Sequence, residues 1–180
     1  LHVEDTLKAG DDLCDIAAVE MLVREAPNCV DRLQNLGMIF DHSSDQLSTT
    51  LEAAHSCRRV LHVKDRTGRA LVEVLEDHIE NRKNVLHCRG VRVIELIVED
   101  GECRGVQVLD GSNLYWITCK AVVVATGGGG HLFTNTTNPA QSSGEGIALS
   151  WKAGAAIEDL EFIQFHPTAL KFYGSPCFLI

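Results

Sequence analysis

Three short stretches carry groups that could do chemistry. In TTLEAAHSCRR, Glu52 precedes His55 and Ser56 within one short segment. In EFIQFHPTAL, His166 stands between Phe165 and Pro167. In AVVVATGGGG, an apolar run leads through Ala125 and Thr126 into four glycines, Gly127 to Gly130. Each has a plain alternative. A lone Glu is a solvated loop side chain, a lone His at the end of an apolar strand is a structural histidine, and an isolated glycine run is a flexible turn. What the glycines offer is bare backbone, because a flat cofactor or its pyrophosphate can pass the carboxyl end of a strand closely only where no Cβ intervenes. The fingerprint G-x-G-x-x-G is absent from the chain.

Elements to hold these groups follow from periodicity. GDDLCDIAAVEMLVREA places Leu13, Ile16, Ala17, Met21 and Leu22 at helical spacing behind Asp11 or Asp12 as N-cap. Pro27 opens a second helix with Val30, Leu33 and Leu36 on one face and Gly37 as its stop. MIF, residues 38–40, reads as a strand. TGRALVEVLEDHIENR reads as a helix capped by Thr67, with Leu71, Val74, Leu75 and Ile79 as its buried stripe. From Val85 the period becomes that of strands. Asp100-Gly101 and Asp110-Gly111 punctuate an antiparallel meander over about 85–119. Ala121 to Ala125 does not alternate, which predicts a parallel strand of an α/β sheet covered on both sides. Gly144 to Ala156 reads as a helix, and Trp116, Trp151, Phe162 and Phe165 read as core packing.

Composition narrows the classes. A chain of 180 residues with 45% hydrophobic content can bury one ordinary core. Twenty-five acids against 16 bases, a net charge of −9, argue against a nucleic-acid surface, so an anionic substrate needs a local site. The seven cysteines include no C-x-x-C pair, which disfavours a disulfide framework or zinc cluster and favours a reducing cytosol. No run is long and apolar enough for a bilayer, and no basic-then-apolar leader opens the chain. The start without Met and the apolar stop SPCFLI read as a piece cut from a larger chain.

The ordered set A-T-G-G, T-N-P, S-G-E-G-I-A, A-G-A and E-F-I-Q-F-H-P-T, residues 125–168, resembles the third flavin-contacting segment of the fumarate reductase, succinate dehydrogenase and L-aspartate oxidase flavoproteins. HVEDTLKAG and AAHSCRRVLHVKDRTGRAL are similar to the same superfamily. The resemblance implies an α/β fold: part of a Rossmann-like FAD-binding domain with an inserted antiparallel β-meander over 1–158, and the first edge of the substrate-capping domain over 159–180. It implies FAD as cofactor, with Ala125, Thr126 and Gly127 as backbone contacts. Glu145 stands where relatives have Asp, against a ribityl or ribose hydroxyl; Val93 approaches the adenine through its main chain, and Ser56 hydrogen-bonds on the flavin side.

The branch turns on Glu52. Succinate and fumarate enzymes resemble one another in an apolar Phe before Gly-Gly, whereas L-aspartate oxidases carry a carboxylate there, and a carboxylate can pair the ammonium that succinate lacks. Glu52, His55 and His166 are thereby implied as substrate-binding, with His166 a donor to a substrate carboxylate. Ala53-Ala54 replaces the relatives' Gly-Gly. Arg58 and Arg59 are anion contacts or surface charge, with surface favoured for at least one. The implied reaction is oxidation of L-aspartate to iminoaspartate, with oxygen or fumarate as acceptor and a product that feeds quinolinate synthase and NAD synthesis. The G-x-G-x-x-G strand is expected before Leu1, and the catalytic acid–base Arg beyond Ile180, so little FAD binding or turnover is expected of this chain alone. Two alternatives stand: a succinate dehydrogenase or fumarate reductase flavoprotein fragment, and a non-enzymatic flavin-domain remnant.

Overall fold

The computed structural model describes residues 1–11, 13–166 and 168–170, and the backbone of 178–179. Its secondary structure mixes helices and antiparallel strands, in two compact units, Leu1–His87 and Cys88–Ile180.

The first unit opens with α1 (His2–Ala9), which the periodicity does not predict, and α2 (Ile16–Asn35). Two helices were expected across this second stretch. A single one forms, and Pro27 lies inside it. The half-buried or buried positions Val19, Val23, Ala26, Val30 and Leu33 recur every three or four residues straight through Pro27, so one stripe stays in register while the proline sits exposed. Leu13, Ile16, Met21 and Leu22, placed at helical spacing by the sequence pattern, are more than half exposed. The cap is Asp15, whose Oδ1 accepts the Ala18 N–H at 3.0 Å, in place of Asp11; Asp12 lies outside the described residues. Gly37 does stop the helix at φ +103°, as expected, with the Met38 N–H returning to the Leu33 carbonyl at 2.9 Å.

Met38 and Phe40 are buried at 4% and 6% exposure while Ile39 faces out. That is the alternation of a strand, yet no ladder forms there; Asp41 instead donates its N–H to His62 at 2.9 Å. Two short antiparallel pairs follow, β1 (His42–Ser43) with β2 (Gln46–Leu47), and β3 (Thr49–Thr50) with β4 (Val60–Leu61). Helix α3 (Thr67–Glu80) begins at Thr67. Its hydroxyl accepts the Val63 N–H at 3.0 Å, so Thr67 ties the preceding turn and does not cap the helix. Leu71, Val74 and Leu75 form a half-buried stripe, and Ile79 is 40% exposed.

The second unit is built on the meander β5 (Arg92–Glu99), β6 (Glu102–Asp110) and β7 (Asn113–Thr118). Both expected turns are present. Asp100 and Gly101 both take positive φ, 53° and 77°, between the paired Glu99 and Glu102, and Gly111, φ 59°, follows Asp110. Gly105 in β6 is obligatory, because a Cβ there would lie 2.2 Å from the Ile117 carbonyl oxygen. Beyond β7 come a short 3₁₀ turn, Gly130–Leu132, helix α4 (Glu145–Lys152), and β8 (Ala169–Leu170) paired with β9 (Phe178–Leu179). Helix α4 ends before the expected Ala156, because Gly154 turns left-handed at φ +92°.

Two expectations about burial are corrected. Ala121 to Ala125 joins no ladder, and Val123 is 87% exposed. Every strand pair among the described residues is antiparallel, and a lone extended segment has nothing to satisfy its backbone or cover its faces. Trp116, Trp151, Phe162 and Phe165, expected as core, are exposed as well, at 64%, 69%, 61% and 70%. The terminal SPCFLI run lies largely outside the described residues.

Candidate functional site

In the first unit, the β3–β4 pair closes the base of a loop over 51–59 that presents Glu52, His55 and Ser56. Thr49 faces Leu61 and Thr50 faces Val60, which fixes where the loop leaves and rejoins the fold. The Thr50 hydroxyl donates to Glu52 Oε1 at 3.0 Å, and the His55 N–H donates to the Glu52 carbonyl at 3.2 Å. Ala54 between them is left-handed at φ +65°. That explains the glycine of the resembling sequences, since only Gly takes such a φ without a steric penalty.

Behind the loop lies a charged network that no local sequence pattern announces. Asp5 of α1 accepts from both the N–H and the Oγ of Ser56 through Oδ2, each at 2.8 Å, and from Arg59 Nη2 at 2.7 Å. Those Ser56 bonds, with the Arg59 guanidinium behind them, hold the Asp5 carboxyl well below the usual carboxylate range. Arg59 Nη1 lies 3.1 Å from His55 Nδ1, and Arg59 Nη2 lies 2.9 Å from Cys57 Sγ. The two consecutive arginines therefore differ. Arg58 is exposed, with Nε on the Thr49 carbonyl at 3.0 Å, while Arg59 turns inward with a side chain 15% exposed. Because the Ser56 hydroxyl gives its proton to Asp5, its oxygen acts as an acceptor, and Arg59 Nη2 reaches it at 3.4 Å.

In the second unit, the glycine run divides by surroundings. A Cβ on Gly127 or Gly128 would meet nothing within 4 Å, and Gly127 takes φ +73°. A Cβ on Gly130 would strike Asn138 Nδ2 at 2.4 Å, and one on Gly129 would press Leu132 at 3.1 Å. The first two glycines thus leave an open face, and the last two let the chain fold on itself. Gly144 N–H on the Gly128 carbonyl, 3.1 Å, and His131 N–H on the Ser142 carbonyl, 2.9 Å, hold that fold. Helix α4 docks against the segment ahead of the glycines through Gly146, where a Cβ would stand 1.9 Å from Thr126 Oγ1.

Val93, Thr126 and Glu145 line one cleft of about 340 Å³ together with Arg92, Gln141 and Leu149. Glu145 is not free there: Arg92 reaches its two carboxylate oxygens at 2.6 and 3.2 Å. A second cleft, about 520 Å³, is lined by Gly129, Gly130, Phe133, Asn138, Phe165 and His166, among others. Phe133 and Phe165 meet edge to face at 5.2 Å. His166 Nδ1 is 2.8 Å from the Thr168 carbonyl oxygen and 3.3 Å from the Thr168 backbone nitrogen. Val93, Thr126 and Glu145 thus share one cleft, and His166 shares another with the end of the glycine run.

The profile of the FAD binding domain family matches residues 1–179. The chain belongs to this family of FAD binding domains. L-Aspartate oxidases of a Nostoc species and a Synechocystis species are 48% and 49% identical to it over 100% and 99% of its length, which is 32% and 33% of theirs. Solved structures are similar too: Mycobacterium smegmatis Sdh1 in complex with UQ1, TM-score 0.90 at 32% identity over 99% of this chain and 32% of that one, and an Escherichia coli quinol fumarate reductase, TM-score 0.91 at 28% identity over 97% and 30%. The chain spans about a third of the length of the curated relatives it matches.

The residues fit the family's cofactor, FAD. The open backbone at Gly127 and Gly128 leaves room for a flat or phosphorylated group at close range, and the cleft beside them holds the Glu145 carboxylate, a group able to accept from hydroxyls. No helix among the described residues is long and apolar enough to cross a membrane.

Proposed function

We propose that this chain is the central part of an L-aspartate oxidase, which takes L-aspartate to iminoaspartate with FAD. What carries the reading is the 48–49% identity to L-aspartate oxidases along the whole chain, against 28–32% to the Sdh1 and fumarate reductase structures. On this reading residues 1–158 are part of a Rossmann-like domain with the meander inserted, and 159–180 begin the capping domain. The unpaired Ala121 to Ala125 is then a strand of a parallel sheet whose neighbours lie in the remainder of the protein.

FAD, when bound, supplies the two-electron oxidation. The chain's own residues bind and orient. Gly127 and Gly128 let backbone approach the cofactor, with Ala125 and Thr126 contributing main-chain contacts, Val93 meeting the adenine end, Ser56 accepting on the flavin side and Glu145 accepting from a hydroxyl. Glu52, oriented by Thr50, pairs the substrate ammonium. His55 and His166 meet carboxylates. With Nδ1 engaged by the Thr168 backbone, Nε2 is the His166 atom left for a ligand. Oxygen or fumarate accepts the electrons, and the imine is passed to a quinolinate synthase in the cytoplasm.

The test is anaerobic addition of L-aspartate, and separately of succinate, to the full-length holoprotein while following flavin absorbance. Bleaching by aspartate and not by succinate is expected, with Glu52→Gln raising the aspartate concentration required at least tenfold, the scale of a lost charge-assisted bond. Bleaching by succinate alone would establish the succinate dehydrogenase reading instead.

A further inference from the structure

Around His55 the hydrogen bonds leave one arrangement of protons. Arg59 Nη1 is 3.1 Å from His55 Nδ1. A guanidinium only donates, so Nδ1 must accept, and the ring must be neutral with its proton on Nε2. Arg59 is itself held by Asp5, at 2.7 Å, and both side chains are only 15% exposed. Asp5 is in turn fixed by two bonds from Ser56, the residue next to His55. The other ring facing His55 is His2, 5.9 Å away and tilted by 48°. Burial, and then the Arg59 guanidinium, hold His2 below its ordinary value.

We propose that Asp5 and Arg59 are positioning residues that lock His55 in the neutral Nε2–H tautomer, making it a hydrogen-bond donor of fixed direction for a substrate carboxylate. The role toward substrate rests on the L-aspartate oxidase reading; the tautomer rests on the geometry alone. A neutral donor suits a site whose ammonium partner, Glu52, is three residues away in the same loop, because an imidazolium there would compete with the substrate's ammonium for that carboxylate. The device spans 51 residues of sequence between Asp5 and Ser56.

The tautomer is read from the imidazole nitrogen shifts of His55 in histidine-labelled full-length holoprotein near neutral pH, assigned by loss of the signal in His55→Gln. Protonated Nε2 with bare, hydrogen-bonded Nδ1 is expected, changing to a mixture in Arg59→Gln and partly restored in Arg59→Lys. A protonated Nδ1, or an imidazolium, in the unaltered protein would overturn the proposal. Steady-state kinetics supply the second arm. Arg59→Gln is expected to raise KM for L-aspartate about tenfold with a smaller change in kcat. In the His55→Gln background, where an amide donates without a tautomer to choose, the same change adds little. Fully additive effects of the two substitutions would show that Arg59 acts elsewhere and overturn the positioning role. A protein with the Nε2–H signal that leaves aspartate unoxidised would overturn the substrate reading while supporting the tautomer lock.

Discussion

Arg92 at the start of β5 and Glu145 at the start of α4 are joined by two hydrogen bonds, 2.6 and 3.2 Å, across 53 residues of sequence. The pair ties the meander to the helix that carries the glycine fold, yet its side chains are 64% and 45% exposed. Solvent and salt therefore screen it, and its contribution to stability is about 0–1 kcal/mol. Arg92→Ala is expected to shift the urea midpoint slightly, with the difference vanishing at high salt. Glu145→Gln removes the carboxylate that faces the cleft, and FAD affinity should fall about tenfold in a flavin titration. Equal losses of FAD affinity in both variants would mean that the ion pair, and not Glu145 itself, holds the cofactor.

Gly146 sets how closely α4 approaches the segment before the glycines. A Cβ would stand 1.9 Å from Thr126 Oγ1 and 3.0 Å from Val124 Cγ1. Gly146→Ala should destabilise by roughly 1–3 kcal/mol, the range for forcing an atom into a filled contact. It should also weaken FAD binding, because Thr126 must move. Adding Thr126→Ala removes the nearest atom and leaves the residue-126 Cβ and Val124 Cγ1 contacts, both at 3.0 Å, so partial recovery of the thermal midpoint is expected. No recovery would place the strain in the helix backbone instead.

How much of this was legible in the sequence depends on the range of the interactions. The two hairpin turns and the stop at Gly37 follow from residues whose φ preferences act locally, and all three appear where expected. Pro27 was read as a helix start because a proline's local effect is large; the apolar stripe continuing through it proved stronger. Ala121 to Ala125 and the exposed tryptophans were read as covered, an inference that requires neighbours the described residues do not supply. Glu52, His55 and Ser56 could be singled out because they lie together in one loop. Asp5 and Arg59 could not: an Asp on a first helix and one of two adjacent arginines carry no local mark of meeting around Ser56.

Acid sensitivity should centre on Asp5. Its carboxyl is held below its unfolded value, first by the Ser56 N–H and hydroxyl and then by Arg59. A depressed carboxylate contributes stability that is full above the unfolded value, about 4, and is lost as pH falls from there toward the folded value. Urea midpoints measured from pH 6 downward should thus fall more steeply in the unaltered protein than in Asp5→Asn, which is less stable at neutral pH but has less to lose. Parallel curves for the two would show that other carboxylates govern the acid limb.

Ala54 is the residue where the loop carries strain without evident return. At φ +65° an alanine sits about 1–2 kcal/mol above the right-handed basin. Glycine removes that strain but adds freedom to the unfolded chain, a loss of about 0.4–1 kcal/mol. The balance predicts that Ala54→Gly stabilises the protein by about 0.5 kcal/mol, with Ala53→Gly, whose φ is not positive, neutral or destabilising. The two changes also separate strain from function. The His55 N–H reaches back across Ala54 to the Glu52 carbonyl at 3.2 Å, so relaxing residue 54 leaves the Glu52-to-His55 turn in place. A rise in the melting temperature of Ala54→Gly with unchanged KM for L-aspartate would mean that the alanine is a tolerated penalty. A rise in KM with the same stabilisation would mean that the strained alanine holds Glu52 and His55 in the geometry that binds substrate.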